Sequence, residues 1–216
     1  MKQKLLLVLF FIGILSSNAQ DPTRFQKEVD ELCKAEYHFS PEKKMVVFTG
    51  SSSIRMWKDV ADYFPEYNVV NNGFGGSHFS DLLFYYDNLI TRQKPDVLFI
   101  YEGDNDIADG KKPSKVLKEA KLLVGKIQQD QHNTKVILIS PKPSIARWNL
   151  KKDYIKLNRK LGRYCKKNDN LYFADVWNVM LDKNKMVYQD IFIQDGLHMN
   201  KKGYDLWSKV LSEYLE

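Results

Sequence analysis

The chain has 216 residues, 44% hydrophobic and 28% charged, enough for one well-packed domain and short of the usual size for two. Its 33 basic residues outnumber 27 acidic ones, and they are spread through helices instead of gathered in one block. That is the pattern of an ordinary solvated surface, so nucleic acid is excluded as a partner.

The first twenty residues read MKQKLLLVLFFIGILSSNAQ. Lys2 and Lys4 form a basic start, residues 5–15 an apolar core, and Ser17, Asn18 and Ala19 a small-residue cleavage pattern. Together they predict a signal peptide at residues 1–19, cut after Ala19, and a secreted or periplasmic protein with no stable membrane insertion. The apolar run is too short for a span, which takes about 20 residues. Residues 20–216 are then one domain, with residues 20–40 as an N-terminal helical cover. Cleavage removes two lysines and leaves 31 basic against 27 acidic residues. Cys33 and Cys165 could pair in an oxidising compartment, but sequence separation says nothing about distance, and no disulfide is assigned.

Residues 21–37 read as an amphipathic helix with Phe25, Val29, Leu32 and Cys33 on one side. Residues 45–49 are a short apolar run bounded by Gly50, which predicts a strand buried on both faces. Further strands are predicted at 67–71, 96–101, 135–140 and 170–174. Helices are predicted between them at about 79–90, 114–130 and 151–167, and a last helix at about 201–214. Strands alternating with such helices imply right-handed crossovers and an α/β fold with three layers, α/β/α. The expected sheet is flavodoxin-like, five parallel strands in the order 2-1-3-4-5, with its reversal point between the first and third strands.

Ser51, Ser52 and Ser53 follow the first strand directly, at the rim where open α/β folds place ligands. They are either a nucleophile or a helix cap, and the local sequence does not choose. Asp195 precedes His198 by three residues, ahead of a helix opened by Asn200. The acid can hold imidazole Nδ1–H and leave Nε2 free to take a proton. Taken alone, that pair is equally a turn former and a surface histidine. A glycine turn, residues 72–77, can present a backbone N–H, and Asn105 in the GDND run can present an amide N–H, both suited to an oxyanion. Each also has an ordinary turn explanation. A calcium loop at Asp104, Asp106 and Asp109 lacks the spacing and closing Glu of an EF-hand. His38 and His132 have no partners at metal-ligand spacing, so no metal is assigned.

Taken together in chain order, these signals resemble the SGNH hydrolases, the GDSL-type esterases and lipases. Gly50-Ser51-Ser52, with Trp57 downstream, is similar to the family's Gly-Asp-Ser motif. The run from Asn71 through Gly73 to Gly76 is similar to its Asn-x-Gly-x-x-Gly turn. Gly103-Asp104-Asn105-Asp106 matches Gly-x-Asn-Asp, and Asp195 to His198 matches Asp-x-x-His. The resemblance implies the SGNH hydrolase fold and a serine esterase that needs no cofactor. It implies Ser52 as nucleophile, His198 as base and acid, Asp195 as its orienter, and an oxyanion hole from the Ser52 N–H, the Gly76 N–H and Asn105. Ser51 replaces the family's usual Asp, which leaves Ser53 as a rival nucleophile. Arg147, Trp148 and His78 are candidate substrate-binding residues, each with a structural alternative.

The expected activity is hydrolysis of short-chain acyl esters through an acyl-enzyme, on a small-molecule or carbohydrate ester, with deacetylation of carbohydrate fitting an exported enzyme. The alternatives are a lysophospholipase, a thioesterase or a platelet-activating-factor acetylhydrolase-like activity, and a non-catalytic carbohydrate-binding protein of the same fold.

Overall fold

A computed structural model describes residues 21–215; the predicted signal peptide lies outside the described residues. A short 3-10 helix, Pro22–Phe25, leads into α1, Gln26–Lys34. There follow β1 (Met45–Gly50), α2 (Ser52–Arg55), α3 (Val60–Tyr63), β2 (Asn68–Gly73), α4 (Phe79–Phe84) and α5 (Tyr86–Leu89). The second half holds β3 (Val97–Tyr101), α6 (Asp104–Ala108), α7 (Pro113–Asp130) and β4 (Lys135–Ile139), then α8 (Lys151–Cys165), β5 (Leu171–Ala174) and α9 (Lys201–Ser212).

The five strands form one all-parallel sheet in the order β2-β1-β3-β4-β5, as expected from the sequence. Alternate side chains of each strand feed opposite layers. Val47, Val70, Leu98, Ile100, Val136 and Leu138 pack against a layer that includes Leu82 of α4, Leu123 of α7 and Leu157 of α8. Val46, Phe48, Val69, Phe99, Ile137 and Ile139 pack against Trp57, Trp207 and Leu211 on the other face. Phe48 stacks on Phe99 at 4.6 Å, so the central strands are clamped by rings as well as by their ladder. Each such side chain contributes about 1.5–3 kcal/mol by leaving water.

Three elements differ from expectation. The first helix ends at Lys34, because Ala35 turns extended (ψ 130°). The helix expected at 79–90 breaks at Tyr85, whose hydroxyl reaches the Pro22 carbonyl, 3.0 Å away, and ties the N-terminal segment to the domain. The GDND run, read as a turn, opens the one-turn helix α6 behind Gly103, which takes the left-handed φ of +101° that glycine accepts.

Register places the site. Gly50 lies opposite Gly73 on one side and Tyr101 on the other, so the segments after β1, β2 and β3 leave one edge of the sheet side by side.

Candidate active site

At the end of β1 the chain must turn sharply against β3. Gly50 has φ +119°, and a Cβ there would sit 2.1 Å from the Tyr101 carbonyl oxygen, so no other residue fits. The Ser51 N–H donates to that same carbonyl at 3.0 Å, and Ser52 then opens α2. Ser53 points inward: it is buried, and its carbonyl accepts from the Tyr204 hydroxyl of α9. The hydroxyl left at the sheet edge is that of Ser52.

His198 arrives from the far end of the chain. Its segment is pinned on both sides: Phe192 bridges Met199, the Ile193 N–H donates to the His198 carbonyl, and Asn200 caps α9 through the N–H groups of Lys202 and Gly203. Asp195 Oδ2 lies 2.6 Å from His198 Nδ1, and His198 Nε2 lies 2.9 Å from Ser52 Oγ. Asp195 Oδ1 meanwhile accepts the Leu197 and His198 backbone N–H groups. Partial burial raises the carboxyl's pKa, but the histidine and those two N–H donors outweigh it and hold the pKa at about 2. An ionised acid on Nδ1 keeps the proton there and leaves Nε2 to accept the serine proton.

Donors converge on the same edge. Among the described residues, the Ser52 and Gly76 N–H groups have no hydrogen-bond partner. Gly76 holds φ +73°, and nothing lies within 4 Å of where a Cβ would project, so its turn faces open space. Asn105 donates one amide hydrogen to the Ser77 carbonyl at 3.0 Å and keeps the other. The glycine turn is itself anchored: Phe74 N–H donates to Gly50 O, and Gly75 N–H donates to the Glu28 carboxylate of α1. Nothing in the local sequence marks Glu28 as a support, because its partner lies 47 residues away.

A buried charge cluster fixes Asn105. Arg147 donates through Nη1 and Nη2 to Asn105 Oδ1, both at 3.1 Å, and Nη1 also pairs with Asp104. Asp104 is further held by the Tyr101 and Tyr154 hydroxyls and by Lys142, whose side chain is fully buried. Burial raises the Asp104 pKa, yet Lys142 and Arg147 together overcome it and leave the carboxyl far below its usual range. On the other side of α6, Glu102 is buried against Ser77 at 2.6 Å. Burial, then the charge of Asp106, pushes the Glu102 carboxyl well above its ordinary value. Burial also raises Asp106 to about 7, against the pull of Lys111.

Residues 47–206 match the GDSL-like Lipase/Acylhydrolase family. The chain belongs to that family. It is accordingly an ester-bond hydrolase. No curated protein matches the chain in sequence. Solved structures share its fold. A Streptococcus pneumonia protein described as a candidate platelet activating factor is 20% identical over 90% of this chain and 92% of its own, with a TM-score of 0.77. A GDSL-like lipase from Bacteroides thetaiotaomicron is 20% identical over 90% and 97%, at 0.70. A catalytic mutant of an acetylxylan esterase from Geobacillus stearothermophilus is 16% identical over 79% and 93%, at 0.66.

In this GDSL-family chain the three candidate substrate-binding residues are all engaged by the protein. Arg147 is committed to Asp104 and Asn105. Trp148 stacks on Trp177 at 6.2 Å and anchors its loop. His78 is buried at the start of α4, away from a substrate-facing position, and its ring meets Asp109 at 3.0 Å; burial, then the charge of Lys111, lowers its pKa to about 4. Ser51, in the place of the family's usual Asp, is buried at the N-cap of α2. Cys33 and Cys165 are unpaired, the latter inside the core. Among the described residues no group of three or more His, Cys, Asp or Glu side chains is placed to hold a metal ion, and no helix is long and apolar enough to cross a membrane.

Proposed function

We propose that the protein is a serine esterase that cleaves short-chain acyl esters, with Ser52 as nucleophile, His198 as base and acid, and Asp195 as orienter. The observation that carries this reading is the continuous hydrogen-bonded line from Asp195 through His198 to the Ser52 hydroxyl, at 2.6 and 2.9 Å. His198 Nε2 takes the Ser52 proton as Oγ attacks the ester carbonyl. The tetrahedral oxyanion is met by the Ser52 N–H, the Gly76 N–H and the free amide hydrogen of Asn105, each such donor worth about 2.7–4 kcal/mol in the transition state. The imidazolium returns its proton to the leaving alcohol, and water then attacks the acyl-serine with His198 again as base.

Deacetylation of carbohydrate is the substrate class we favour, because it fits an exported enzyme. The N-terminal pattern of Lys2, Lys4 and the apolar residues 5–15 supports export, which N-terminal sequencing of the recovered protein would test by a start at Gln20. The test of the chemistry is turnover of p-nitrophenyl acetate by the wild type, Ser52→Ala and Ser53→Ala. Only Ser52→Ala abolishes it; a wild type inactive on every short ester would instead favour the non-catalytic carbohydrate-binding reading. Acetylated xylooligosaccharides set against longer-chain and phospholipid esters then separate the acetylesterase from the lysophospholipase, thioesterase and platelet-activating-factor acetylhydrolase-like activities.

A further inference from the structure

Basic residues recur through the helices, but their balance against acids does not. Residues 151–167 carry eight Lys and Arg and one acid, Asp153, while the rest of the chain has 25 basic against 26 acidic residues. The excess positive charge therefore sits on α8 and its last turn. Lys152, Lys156, Arg159, Arg163 and Lys166 recur at spacings of four and three, which puts them in one stripe of about 21 Å along the helix. All five are exposed, and none of their side chains has an ion pair or a hydrogen bond among the described residues. Unneutralised like charges in a row repel one another, a cost that an anionic ligand would relieve.

The stripe borders a groove. Two recesses, of about 520 and 350 Å³, lie between α8 and β5 and share Gly162, Lys166 and Phe173. Gly162 keeps them open, since a Cβ there would already stand 3.3 Å from the Phe173 ring. Arg159, Arg163 and Lys166 form one wall, and Phe173, Trp177 and Tyr172 supply aromatic surface. Asp175, the acid in the groove, is turned to its own loop, accepting from the Trp177 N–H and the Asn178 amide. Asn158, only 9% exposed, lines the upper recess, and its Oδ1 accepts no hydrogen bond among the described residues.

Cations and aromatic surface along one trough fit a sugar chain bearing carboxylates. A bilayer is flat and could not enter the trough. A peptide adding to the edge strand β5 would need its free carbonyls, and that of Phe173 already accepts from the Tyr214 hydroxyl at 2.8 Å. At its upper end the groove reaches Trp177, which stacks on Trp148, next to the Arg147 that holds Asn105. We propose that the α8–β5 groove binds a linear, carboxylate-bearing polysaccharide and leads it toward the sheet edge at Ser52.

The experiment uses Ser52→Ala protein, so that binding is read without turnover, and polygalacturonate as the probe in affinity electrophoresis. Binding is expected, and neutral xylan and the Arg159→Glu/Arg163→Glu variant should each be weaker by about tenfold or more. Lys115→Glu/Lys118→Glu on α7, the same change in net charge elsewhere, should bind within about twofold of the parent. With Ser52 restored, the groove variant should hydrolyse p-nitrophenyl acetate at the parental rate, which shows that it is folded and separates this proposal from the esterase reading. No retention by polygalacturonate, equal loss in both double variants, or groove-dependent binding of phosphatidylglycerol vesicles in place of the glycan would each overturn it.

Discussion

Arg147 grips the carbonyl oxygen of the Asn105 side chain with two N–H groups at 3.1 Å, and thereby decides which way the amide hydrogens of Asn105 point. The flip that would turn Oδ1 toward the site is blocked, since Oδ1 would lose both donors and the amide N–H₂ would face a cation. In the proposed mechanism Arg147 is thus a positioning residue for Asn105 as oxyanion donor, polarising that donor from behind.

Removal of this grip should act on kcat. Arg147→Ala is expected to lower kcat by about 10–100-fold on p-nitrophenyl acetate with KM little changed, and Asn105→Ala by about 100–1,000-fold. Arg147→Lys should not restore the rate, because one ammonium cannot reproduce the planar fork. A rise in KM at constant kcat would mean that Arg147 binds substrate instead.

Asp104 neutralises Lys142, whose side chain is fully buried. Asp104→Asn leaves that cation uncompensated and should cost about 3–5 kcal/mol in urea unfolding at neutral pH. Asp104→Asn/Lys142→Met should recover much of the loss. Because the Asp104 pKa is depressed, its contribution is present above its unfolded value of about 3.8 and is lost as pH falls below it. The penalty of Asp104→Asn should therefore shrink in acid.

Glu102 carries the opposite sign. Its carboxyl is raised by burial and then by Asp106, so the folded state holds a proton that the unfolded chain gives up above about pH 4.5. The stability linked to that proton is full below the unfolded value and drains away as pH rises toward the folded one. Asp106, raised to about 7, adds to the same decline between 3.8 and 7. Melting temperature should thus fall with rising pH across this window, and Glu102→Gln, permanently neutral, should fall less. An identical slope in the two proteins would show that Glu102 is ionised in the fold.

Gly50→Ala puts a Cβ 2.1 Å from a β3 carbonyl at φ +119°. The β1 edge would have to part from β3, at a cost of about 4 kcal/mol or more. A thermal melt within a few degrees of wild type would contradict the turn geometry.

Much of this was legible in the sequence because β1 is buried on both faces. A strand with no polar alternation, closed by glycine, has few places to go except the sheet centre. Ser52, Gly76 and Asn105 then follow from the register of three adjacent strand ends. What was not legible is the direction of polar side chains in loops. Arg147 and His78 have the sequence surroundings of exposed residues, and only the meeting of α6 with the loop after β4, and of α4 with Asp109, turns them inward. The break at Tyr85 was equally hidden, since the helical period continues across it and the Pro22 carbonyl that its hydroxyl meets lies 63 residues upstream. The groove along α8 was hidden differently: the charge imbalance of residues 151–167 is present in the sequence, but the trough exists only where α8 packs beside β5.

The most direct measurement is covalent. Treatment with diethyl p-nitrophenyl phosphate, followed by intact mass and peptide mapping, should yield one diethylphosphoryl group on Ser52, formed in step with loss of esterase activity. The adduct should be absent from Ser52→Ala and formed far more slowly in His198→Ala. Labelling of Ser53 in its place, or full inactivation of the wild type with Ser52 unmodified, would contradict the account.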